Sequence, residues 1–459
     1  MSHHSSRLLL ATVIVSLTWG PHRALAQDIG GGFAARLLSD GSIDPSFNDG
    51  VYGFDLALAA VVDGENRVVI AGTRDGNFAV IRLLPSGTVD LHFGINGVAE
   101  KGFAAAAEAR AVAIDQSGRI IVAGRSAQKF AVACFTTLGG DCAGFGSDSK
   151  TTTAFPSPNE AAEAAAVAIA GNGRIVVGGK ASYWSNAAGT TQEQFALARY
   201  DADGALDPGF GSGGTRTYNL GSAIWPAKNR ESVSGLAIDA SVRIVAAGTF
   251  EAQNVSPRFA LLRFNADGSR DTTFGPNSNG MVTAFGGCNQ RLCAEEAFAT
   301  SVALQSDGKM VVAGAARFDG SGSFDYDVAL ARFLPNGALD SSGFGLLRMG
   351  SDTAGRLPGS LGDQGRGRKP VRRRPQRRPG DGGALFRLER IARHRLRRWR
   401  GRADDTVHGP GFRPCGPELS MSRVGPLLRP DSQTRHHRDV HLVWTVMSPV
   451  GQAVAQYRI

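Results

Sequence analysis

Histidine is scarce in the part of this sequence that can form a folded body. Of its nine histidines, three lie in the first 22 residues and five lie beyond residue 390, so His92 stands alone between them. A histidine-based triad or metal centre has almost nothing to use there. No Gly-x-Ser-x-Gly elbow or phosphate-binding loop occurs between a strand and a helix. The sequence therefore predicts no catalytic or cofactor-binding residues, and it leaves open whether the protein is an enzyme.

Long apolar runs are missing after the first 20 residues. The start has a basic residue, Arg7, an apolar stretch from Leu8 to Trp19 and a small-residue site, Ala24-Leu25-Ala26, before Gln27. This order is typical of a secretory signal peptide cleaved after Ala26, with an uncleaved anchor as the alternative. No later run approaches the roughly 20 residues of a transmembrane helix. We predict a signal peptide over residues 1–26 and a secreted or periplasmic protein without a membrane span.

Cysteine is limited to five residues. Export would make disulfides permissible. Cys134 and Cys142 are close enough in sequence to bridge the end of a hairpin, and Cys288 and Cys293 bracket a short loop. Both pairs are candidate disulfides, because neither has further cysteine or histidine nearby at the spacing of a metal site. Cys415 is left over.

Glycine, in contrast, is abundant at 60 residues, which suits many short strands joined by turns. The clearest repeated unit is Ser301–Gly314. Val302 and Leu304 alternate with smaller residues, as in a strand with one buried face, and Asp307-Gly308 then supplies a tight turn. The apolar run after the turn is typical of a strand buried on both faces. Related copies are Val112–Gly124, Val167–Gly179, Leu236–Gly248 and, more loosely, Ala60–Gly72.

A second block follows each of these units. Its best copies are Phe195–Gly211 and Phe259–Gly275, and looser copies begin at Phe33, Phe78, Phe130 and Val328. The copies start about 45 to 69 residues apart, a period typical of propellers or solenoids. Each period contains about four strand candidates and no helix-length pattern, which matches a propeller blade. We predict an all-β fold of four-stranded, β-propeller-like blades, about seven in the intact gene. The expected blade starts lie near Gly50, Gly97, Ser149, Gly214 and Gly280.

The two blocks together resemble the delta-60 repeat family of exported bacterial proteins. The resemblance rests on the Asp-Gly-Lys-x-Val-Val-Ala-Gly pattern and the Phe-Ala-Leu-Ala-Arg-Tyr pattern that follows it, and it covers roughly residues 33–345. It implies a β-propeller-like fold over residues 27–345 and no established chemistry.

Residues 346–448 differ in composition from the rest. They contain arginine runs such as Gln364–Gly380 and Arg393–Arg400, and the chain from Leu346 onward carries a net charge of about +15. One interpretation is an irregular, polyanion-binding basic arm. The other is a frameshift, because glycine codons read one base out give arginine. Nucleic acid is not the partner we expect.

The genetic code favours the frameshift. Read one base later, Glu389–Arg400 permits Asn-Gly-Ser-Leu-Asp-Thr-Gly-Phe-Gly, which is the family block. The same shift of Gly367–Arg374 permits Asp-Gly-Asn-Pro-Phe-Val-Ala-Gly, and Arg435–Asp439 permits Val-Ile-Thr-Gly-Thr. The last residues, 449–459, fit a repeat strand without any shift. We therefore predict that residues 346–448 form no native blade and that the ring is left unclosed.

Two recurring polar patterns have alternative interpretations. The acidic strings resemble the start of a calcium loop, but a glutamate at the twelfth position is missing, and turn capping explains them as well. The weak calcium candidates are Asp201, Asp203, Asp207, Asn265, Asp267 and Asp271. Arginines recur at one strand position and either line an anion-binding channel or pair with a recurring aspartate such as Asp207, Asp271 or Asp340; we favour pairing. These arginines are Arg82, Arg199, Arg263 and Arg332.

Two classes of function remain in competition. Rigid repeated sheets without a catalytic set favour an exported, non-enzymatic scaffold or interaction protein whose partner, a protein or a glycan, binds at the loops. The alternative is a propeller hydrolase or lyase that acts at a central channel. One blade that departs from the repeat would decide between them, and the long inserts Ser182–Glu193 and Phe318–Tyr326 are the first places to examine.

Overall fold

The computed structural model consists of β-strands and their connections. It describes residues 11–17, 31–37, 45–47, 50–156, 158–186, 189–220, 230–252, 255–285, 294–318, 327–341, 346–349, 440–447 and 453–458. Every regular element in these ranges is a strand. None of the residues described forms an apolar helix long enough to cross a membrane. The prediction of an all-β fold is confirmed.

Twenty of the strands form five antiparallel four-stranded sheets, here called blades 1 to 5. Blade 1 contains β4 (Leu56–Val62), β5 (Val68–Arg74), β6 (Asn77–Leu83) and β7 (Val98–Lys101). Blade 2 contains β8 (Ala107–Ile114), β9 (Ile120–Ser126), β10 (Lys129–Phe135) and β11 (Lys150–Thr153). Blade 3 contains β12 (Ala161–Ile169), β13 (Ile175–Ser185), β14 (Thr190–Tyr200) and β15 (Thr215–Tyr218). Blade 4 contains β16 (Arg230–Ile238), β17 (Ile244–Ala252), β18 (Val255–Phe264) and β19 (Met281–Ala284). Blade 5 contains β20 (Ala294–Leu304), β21 (Met310–Phe318), β22 (Asp327–Phe333) and β23 (Leu346–Met349).

The blade starts predicted from the sequence were wrong by one strand. We expected the strand after each Phe-Gly turn to open a new blade. In the structure it closes the preceding one, because Met281–Ala284 pairs with β18 and not with β20. The loop before it folds back tightly, with the Gly280 N–H donating to the Phe274 carbonyl at 3.0 Å. The chain crosses to the next sheet only after this fourth strand.

A sixth sheet, here called the terminal sheet, joins both ends of the chain. Its strand order is β25 (Ala453–Arg458), β24 (Val440–Met447), β1 (Ala11–Leu17), β2 (Gly31–Leu37) and β3 (Gly50–Tyr52). Strand β1 is antiparallel to both β2 and β24. It contacts β4 of blade 1, while β25 contacts β20 and β21 of blade 5. The terminal sheet thus touches both ends of the five-blade series.

This arrangement differs from the expected open ring. Leu346–Met349 completes blade 5 and Val440–Met447 enters the terminal sheet, so the segment predicted to be without blade strands supplies a strand at each end. Both are short apolar runs, which pair as strands whatever lies between them. Residues 350–439, with the arginine runs, lie outside the described residues. The count of seven blades for an uninterrupted frame stays a prediction.

The first strand of every blade carries a β-bulge at the same position. The strand register shifts between Val233 and Gly235 in blade 4, and equivalent shifts occur in the other four blades. The bulge carries the Ser232 carbonyl oxygen over Gly248 of the second strand, where an added Cβ would lie 1.8 Å from it. The same close approach, at 1.9 to 2.2 Å, occurs at Gly72, Gly124, Gly179 and Gly314. It explains why the Val-Ala-Gly pattern ends in glycine.

Phenylalanine fills the spaces between neighbouring blades. Apart from Tyr200, the largest fully buried side chains are all phenylalanines. Phe259 of blade 4, for example, packs in one cluster with Val312 and Phe333 of blade 5. Burying such a side chain contributes about 1.5–3 kcal/mol, so these clusters hold the blades face to face.

Candidate functional site

The four recurring arginines lie in the third strands of blades 1, 3, 4 and 5, and each faces an aspartate eight residues later. The Nε atom donates to a carboxylate oxygen at 2.7–2.8 Å in the pairs Arg82–Asp90, Arg199–Asp207, Arg263–Asp271 and Arg332–Asp340. In the first three pairs both side chains are at most 7% exposed. The predicted pairing is confirmed: in all four blades the arginine is hydrogen-bonded to its aspartate.

The aspartates of blades 1, 3 and 4 also accept a backbone N–H from the turn that follows them. The second carboxylate oxygen of Asp207 accepts the Gly209 N–H at 2.8 Å, and three residues after the aspartate the Phe210 ring lies 4.8 Å from the Arg199 guanidinium carbon. Blades 1 and 4 repeat the ring contact, at 4.7 Å for Arg82 with Phe93 and 4.5 Å for Arg263 with Phe274. One block of sequence thus builds an ion pair, a turn and a cation–π contact.

The aspartates of this set are stabilised as carboxylates. Burial alone would raise the pKa of Asp207, but the Gly209 N–H and the Arg199 guanidinium outweigh it, so that the pKa lies below its usual value. The same balance lowers the pKa of Asp90 and of Asp271. Since the negative charge is held by a partner, these groups are poor candidates for proton transfer at neutral pH.

The arginine also reaches the next blade. Its Nη1 atom donates to a backbone carbonyl in the Asp-Gly-type turn of the following blade: Arg82 to Thr137, Arg199 to Ala266, Arg263 to Pro335. The N–H of the glycine after the phenylalanine donates to the next carbonyl of that turn, as Gly211 does to Asp267 at 2.9 Å. We call this set the bracket: the arginine, aspartate, phenylalanine and glycine of one blade with the two turn carbonyls of the next. The bracket has a structural role, because its hydrogen bonds join one blade to the next.

The weak calcium candidates are used within turns and brackets. Asp207 and Asp271 pair with arginines, as described above. Asp201 lies 3.4 Å from the Arg174 Nε atom, and Asp203 accepts the Ala205 N–H at 3.0 Å. Asp267 accepts both the backbone and the hydroxyl of Ser269, and Asn265 donates to the same hydroxyl at 2.9 Å. In the part of the chain that the structure describes, no three His, Cys, Asp or Glu side chains are grouped to hold a metal ion.

Of the candidate disulfides, one pair can be located. Cys134 and Cys142 form a disulfide in blade 2, with a Cα–Cα distance of 5.7 Å, and both are at most 4% exposed. Cys288, Cys293 and Cys415 lie outside the described residues.

The single histidine of the blades, His92, has a 96% exposed side chain and donates its backbone N–H to Asp90.

The sequence arguments missed a group of four charged residues, here called the quartet. Glu108 and Arg110 of β8, Arg125 of β9 and Glu163 of β12 form four ion pairs of 2.8 to 3.3 Å across blades 2 and 3. Burial alone would raise the pKa of Glu108, but Arg110 and Arg125 outweigh this and lower it. The sequence signal that could have indicated the quartet was a charged residue at the position of Glu108, Arg110 or Glu163. The first strands of blades 1, 4 and 5 have uncharged residues at these positions.

The long insert Ser182–Glu193 is an extended hairpin. Strands β13 and β14 have 11 residues each, against 7 in the second and third strands of blades 1 and 2. The extension pairs Tyr183 with Gln192 and Trp184 with Thr191, and the Trp184 side chain is 53% exposed. Residues 319–326 of the second insert lie outside the described residues.

The successive four-stranded sheets and the brackets that join them define a β-propeller repeat protein. A family model described as a domain of unknown function (DUF5122) beta-propeller matches residues 29–47, 66–93, 170–210, 243–274 and 305–342. This is the delta-60 repeat family, and the five matched segments confirm the resemblance that the sequence predicted. Each of the last four matched segments contains one Arg–Asp pair of a bracket, and none includes Cys134 or Cys142.

Solved structures are similar only at the level of the fold. A catalytically inactive virginiamycin B lyase from Staphylococcus aureus with quinupristin is 9% identical, covers 72% of this chain and 87% of its own, and has a TM-score of 0.36. A gluconolactonase from Xanthomonas campestris is 11% identical, with 69% and 91% covered and a TM-score of 0.31. The calcium-binding protein regucalcin from Agrobacterium tumefaciens is 14% identical, with 67% and 86% covered and a TM-score of 0.31. No curated protein matches the chain in sequence. At these scores the neighbours carry no argument about activity.

Proposed function

We propose that this protein is an exported, non-enzymatic propeller scaffold that binds a polypeptide partner through the extended hairpin of blade 3. The observation that carries the proposal is the contrast between two parts of the repeat. The recurring charged residues of the blocks are buried in brackets, where they hold blades together. The hairpin Ser182–Glu193 is longer than its counterparts in blades 1 and 2, and Tyr183–Thr191 extends beyond the residues that pair with β12 and β15.

The chemistry of the hairpin suits a polypeptide. Trp184 offers a large exposed aromatic surface, the type of side chain that most often dominates binding energy at protein interfaces. Strand β15 pairs with Phe195–Ala198, so its pairing with β14 stops before the extension of the hairpin begins. An extended peptide can add to a strand edge through backbone hydrogen bonds. The Lys180–Glu193 pair at 2.7 Å fixes the base of the extension.

The test combines a screen with a matched pair of variants. The purified chain is screened against arrays of extracellular polypeptides and glycans, and each retained ligand is titrated by calorimetry against wild type, Trp184→Ala and Ile95→Ala. Ile95 is an 81% exposed apolar residue of blade 1 and serves as the control. We expect Trp184→Ala to weaken a polypeptide ligand by roughly tenfold or more and Ile95→Ala to leave it unchanged. Equal affinity for both variants would remove the hairpin from the proposal, and a glycan ligand would replace the partner class.

A propeller enzyme is the second candidate, and the quartet is the observation that favours it. Glu108, Arg110, Arg125 and Glu163 converge in only one pair of blades among the residues described, as a catalytic site would require. However, all four charges are already paired with one another. The enzyme hypothesis requires turnover of a lyase or hydrolase substrate that Glu163→Gln abolishes and Trp184→Ala preserves. That result would replace the scaffold as the function.

Export and the reading frame are part of the same proposal. Cleavage after Ala26 would remove β1, the strand that joins β2 to β24 in the terminal sheet. Mass spectrometry of the exported protein should therefore find Gln27 as the first residue. Resequencing the gene should find two compensating single-base errors around residues 346–448. A stop codon in the shifted frame would leave the basic arm genuine, and binding to a polyanion such as heparin would then become the leading function.

A further inference from the structure

We propose that the Cys134–Cys142 disulfide is the covalent replacement of the Arg–Asp pair in the bracket of blade 2, so that the junction between blades 2 and 3 depends on the oxidation state of these two cysteines. The proposal goes beyond the binding function, because it concerns the frame and holds whether or not the hairpin binds a partner.

The positions of the two cysteines are those of the arginine and aspartate. Cys134 is the fifth residue of Phe130-Ala-Val-Ala-Cys, as Arg199 is of Phe195-Ala-Leu-Ala-Arg, and its partner again follows eight residues later. The disulfide therefore joins the third strand to the loop at the same two points as the ion pair.

The backbone around the disulfide shares three features with the other blades. The Cys134 N–H donates to the Ser149 carbonyl at 2.9 Å, as the Arg199 N–H does to Gly214. An isolated β-bridge joins Phe135 to Asp141, as one joins Tyr200 to Leu206. Three residues after the second cysteine, the Phe145 N–H donates to the Cys142 carbonyl at 3.1 Å, the distance found for Phe210 and Asp207. These three features place the disulfide where the other blades have the ion pair.

A disulfide has no N–H group to donate to the next blade. Arg119, in the turn immediately before β9, makes that hydrogen bond instead. Its Nη1 atom donates to the Ala202 carbonyl at 3.0 Å, the carbonyl equivalent to Ala266, which Arg199 contacts. Its Nε atom is held by Asp115 at 2.7 Å. The equivalent arginines of blades 1 and 4, Arg67 and Arg243, pair with carboxylates of their own blades.

The glycine part of the bracket is retained in blade 2. The Gly146 N–H donates to the Asp203 carbonyl at 2.7 Å, and the Phe145 ring covers Gly204 in the same turn. The junction between blades 2 and 3 thus keeps its two cross-blade bonds, while the tie within blade 2 is covalent. Reduction breaks the S–S bond, and the two sulfurs take up two electrons and two protons to become buried thiols. Thiols do not attract each other as an arginine and an aspartate do. The loop is then released from the strand.

The experiment uses the full chain and measures its Tm with and without dithiothreitol, which is itself oxidised to its cyclic disulfide as it reduces the pair. Three chains are compared: wild type, Cys134→Ser/Cys142→Ser and Cys134→Arg/Cys142→Asp. We expect dithiothreitol to lower the Tm of wild type by roughly 3–8 °C. The serine variant should start at this lower value and ignore the reagent. The Arg/Asp variant should regain most of the loss and also ignore it, with Arg119 left to Asp115 alone.

A control separates this pair from the other cysteines. Cys288→Ser/Cys293→Ser should keep the full response to dithiothreitol. A wild-type Tm that does not respond would overturn the redox dependence. An Arg/Asp variant that fails to fold, or is no more stable than the serine variant, would overturn the equivalence.

Hydrogen exchange of the wild type, reduced and oxidised, is the second measurement. The loss of protection on reduction should be confined to β10, the loop that follows it as far as Gly146, and the turn at Ala202–Gly204. Uniform loss would contradict a local tie.

Discussion

At the scale of single residues, the bracket arginines are buried ions whose position is fixed by several partners at once. Arg199 gives one N–H to Asp207 and another to the next blade, and its planar face meets Phe210. A buried ion pair is often no more stable than an apolar pair of the same size, but removing one member leaves a charge without compensation. Substitution of Arg199 alone should therefore lower the stability of the folded protein.

Arg199→Ala should lower the free energy of unfolding by about 1–3 kcal/mol, because it removes the buried guanidinium from Asp207 and leaves this carboxylate with Arg174, a more exposed arginine whose Nε atom lies 2.9 Å away. Urea denaturation followed by circular dichroism measures this directly. Arg74→Ala is the matched control, since Arg74 is 43% exposed and its partner Glu100 lies 3.2 Å away at the surface. It should cost at most about 1 kcal/mol.

The pair should also behave as a unit. Arg199→Met/Asp207→Leu removes both charges and should cost less than Arg199→Ala alone. A double variant that is less stable than the sum of the two single variants would show that the cross-blade bond, and not the pair, carries the stability.

The same aspartates predict acid sensitivity. The folded pKa of Asp207 lies below the unfolded value, so its contribution to stability is complete above pH about 4 and is lost as the pH falls through the folded pKa. Thermal denaturation between pH 7 and pH 2 should show a Tm that falls steeply below about pH 4. Asp207→Asn should flatten this dependence, while Asp75→Asn, at an exposed position, should not. Parallel pH curves for wild type and Asp207→Asn would contradict the linkage.

At the scale of strands, the repeated bulge decides which residues the second strand accepts. The sequence showed where strands lie, but a bulge is a shift in pairing and leaves no alternation of its own to detect. Only its counterpart, the recurring glycine, was visible. For the same reason the sequence placed Met281–Ala284 in the wrong blade: the pattern identifies a strand, whereas its neighbour depends on how tightly the preceding loop folds back.

Gly248→Ala should destabilise blade 4 by about 1–3 kcal/mol, because the new Cβ meets the Ser232 carbonyl of the bulge and the strands must separate. Gly171→Ala, where nothing lies within 4 Å of the new Cβ, should change stability by less or raise it slightly. Chemical denaturation of the two variants side by side measures the difference. Equal stabilities would mean that the bulge relaxes at no cost.

At the scale of the whole molecule, the repetition of the blocks made the fold predictable but gave little information about the quartet. The recurrence of the two blocks along the chain predicted the architecture, the family resemblance and the Arg–Asp pairs. The charged positions of the quartet were visible in the sequence, but their ion pairs were not, because Glu163 meets Arg110 and Arg125 only once two blades face each other. The role of Cys134 and Cys142 was available in principle, since their separation of eight equals that of Arg82 and Asp90.

A chain translated in the restored frame through residues 346–448 should be less basic and more stable than this one. Its extra blades would replace the terminal sheet, whose strand β1 lies within the proposed signal peptide. Expressed side by side and sized by light scattering, the restored chain should be a monomer with the higher Tm. A restored chain that aggregates, or melts lower, would contradict the frameshift.

The bracket also gives every junction a direction. Arg82, Arg199 and Arg263 always donate forward, to the turn of the following blade, so each blade has one donating face and one accepting face. Such head-to-tail contacts either close on themselves or continue without limit. Whole copies of the unit can therefore be gained or lost by duplication without redesigning any junction. The terminal sheet contacts both ends of the five-blade series. Without that sheet the series would present two unlike, mutually complementary ends, through which copies of this protein would join head to tail into a linear polymer.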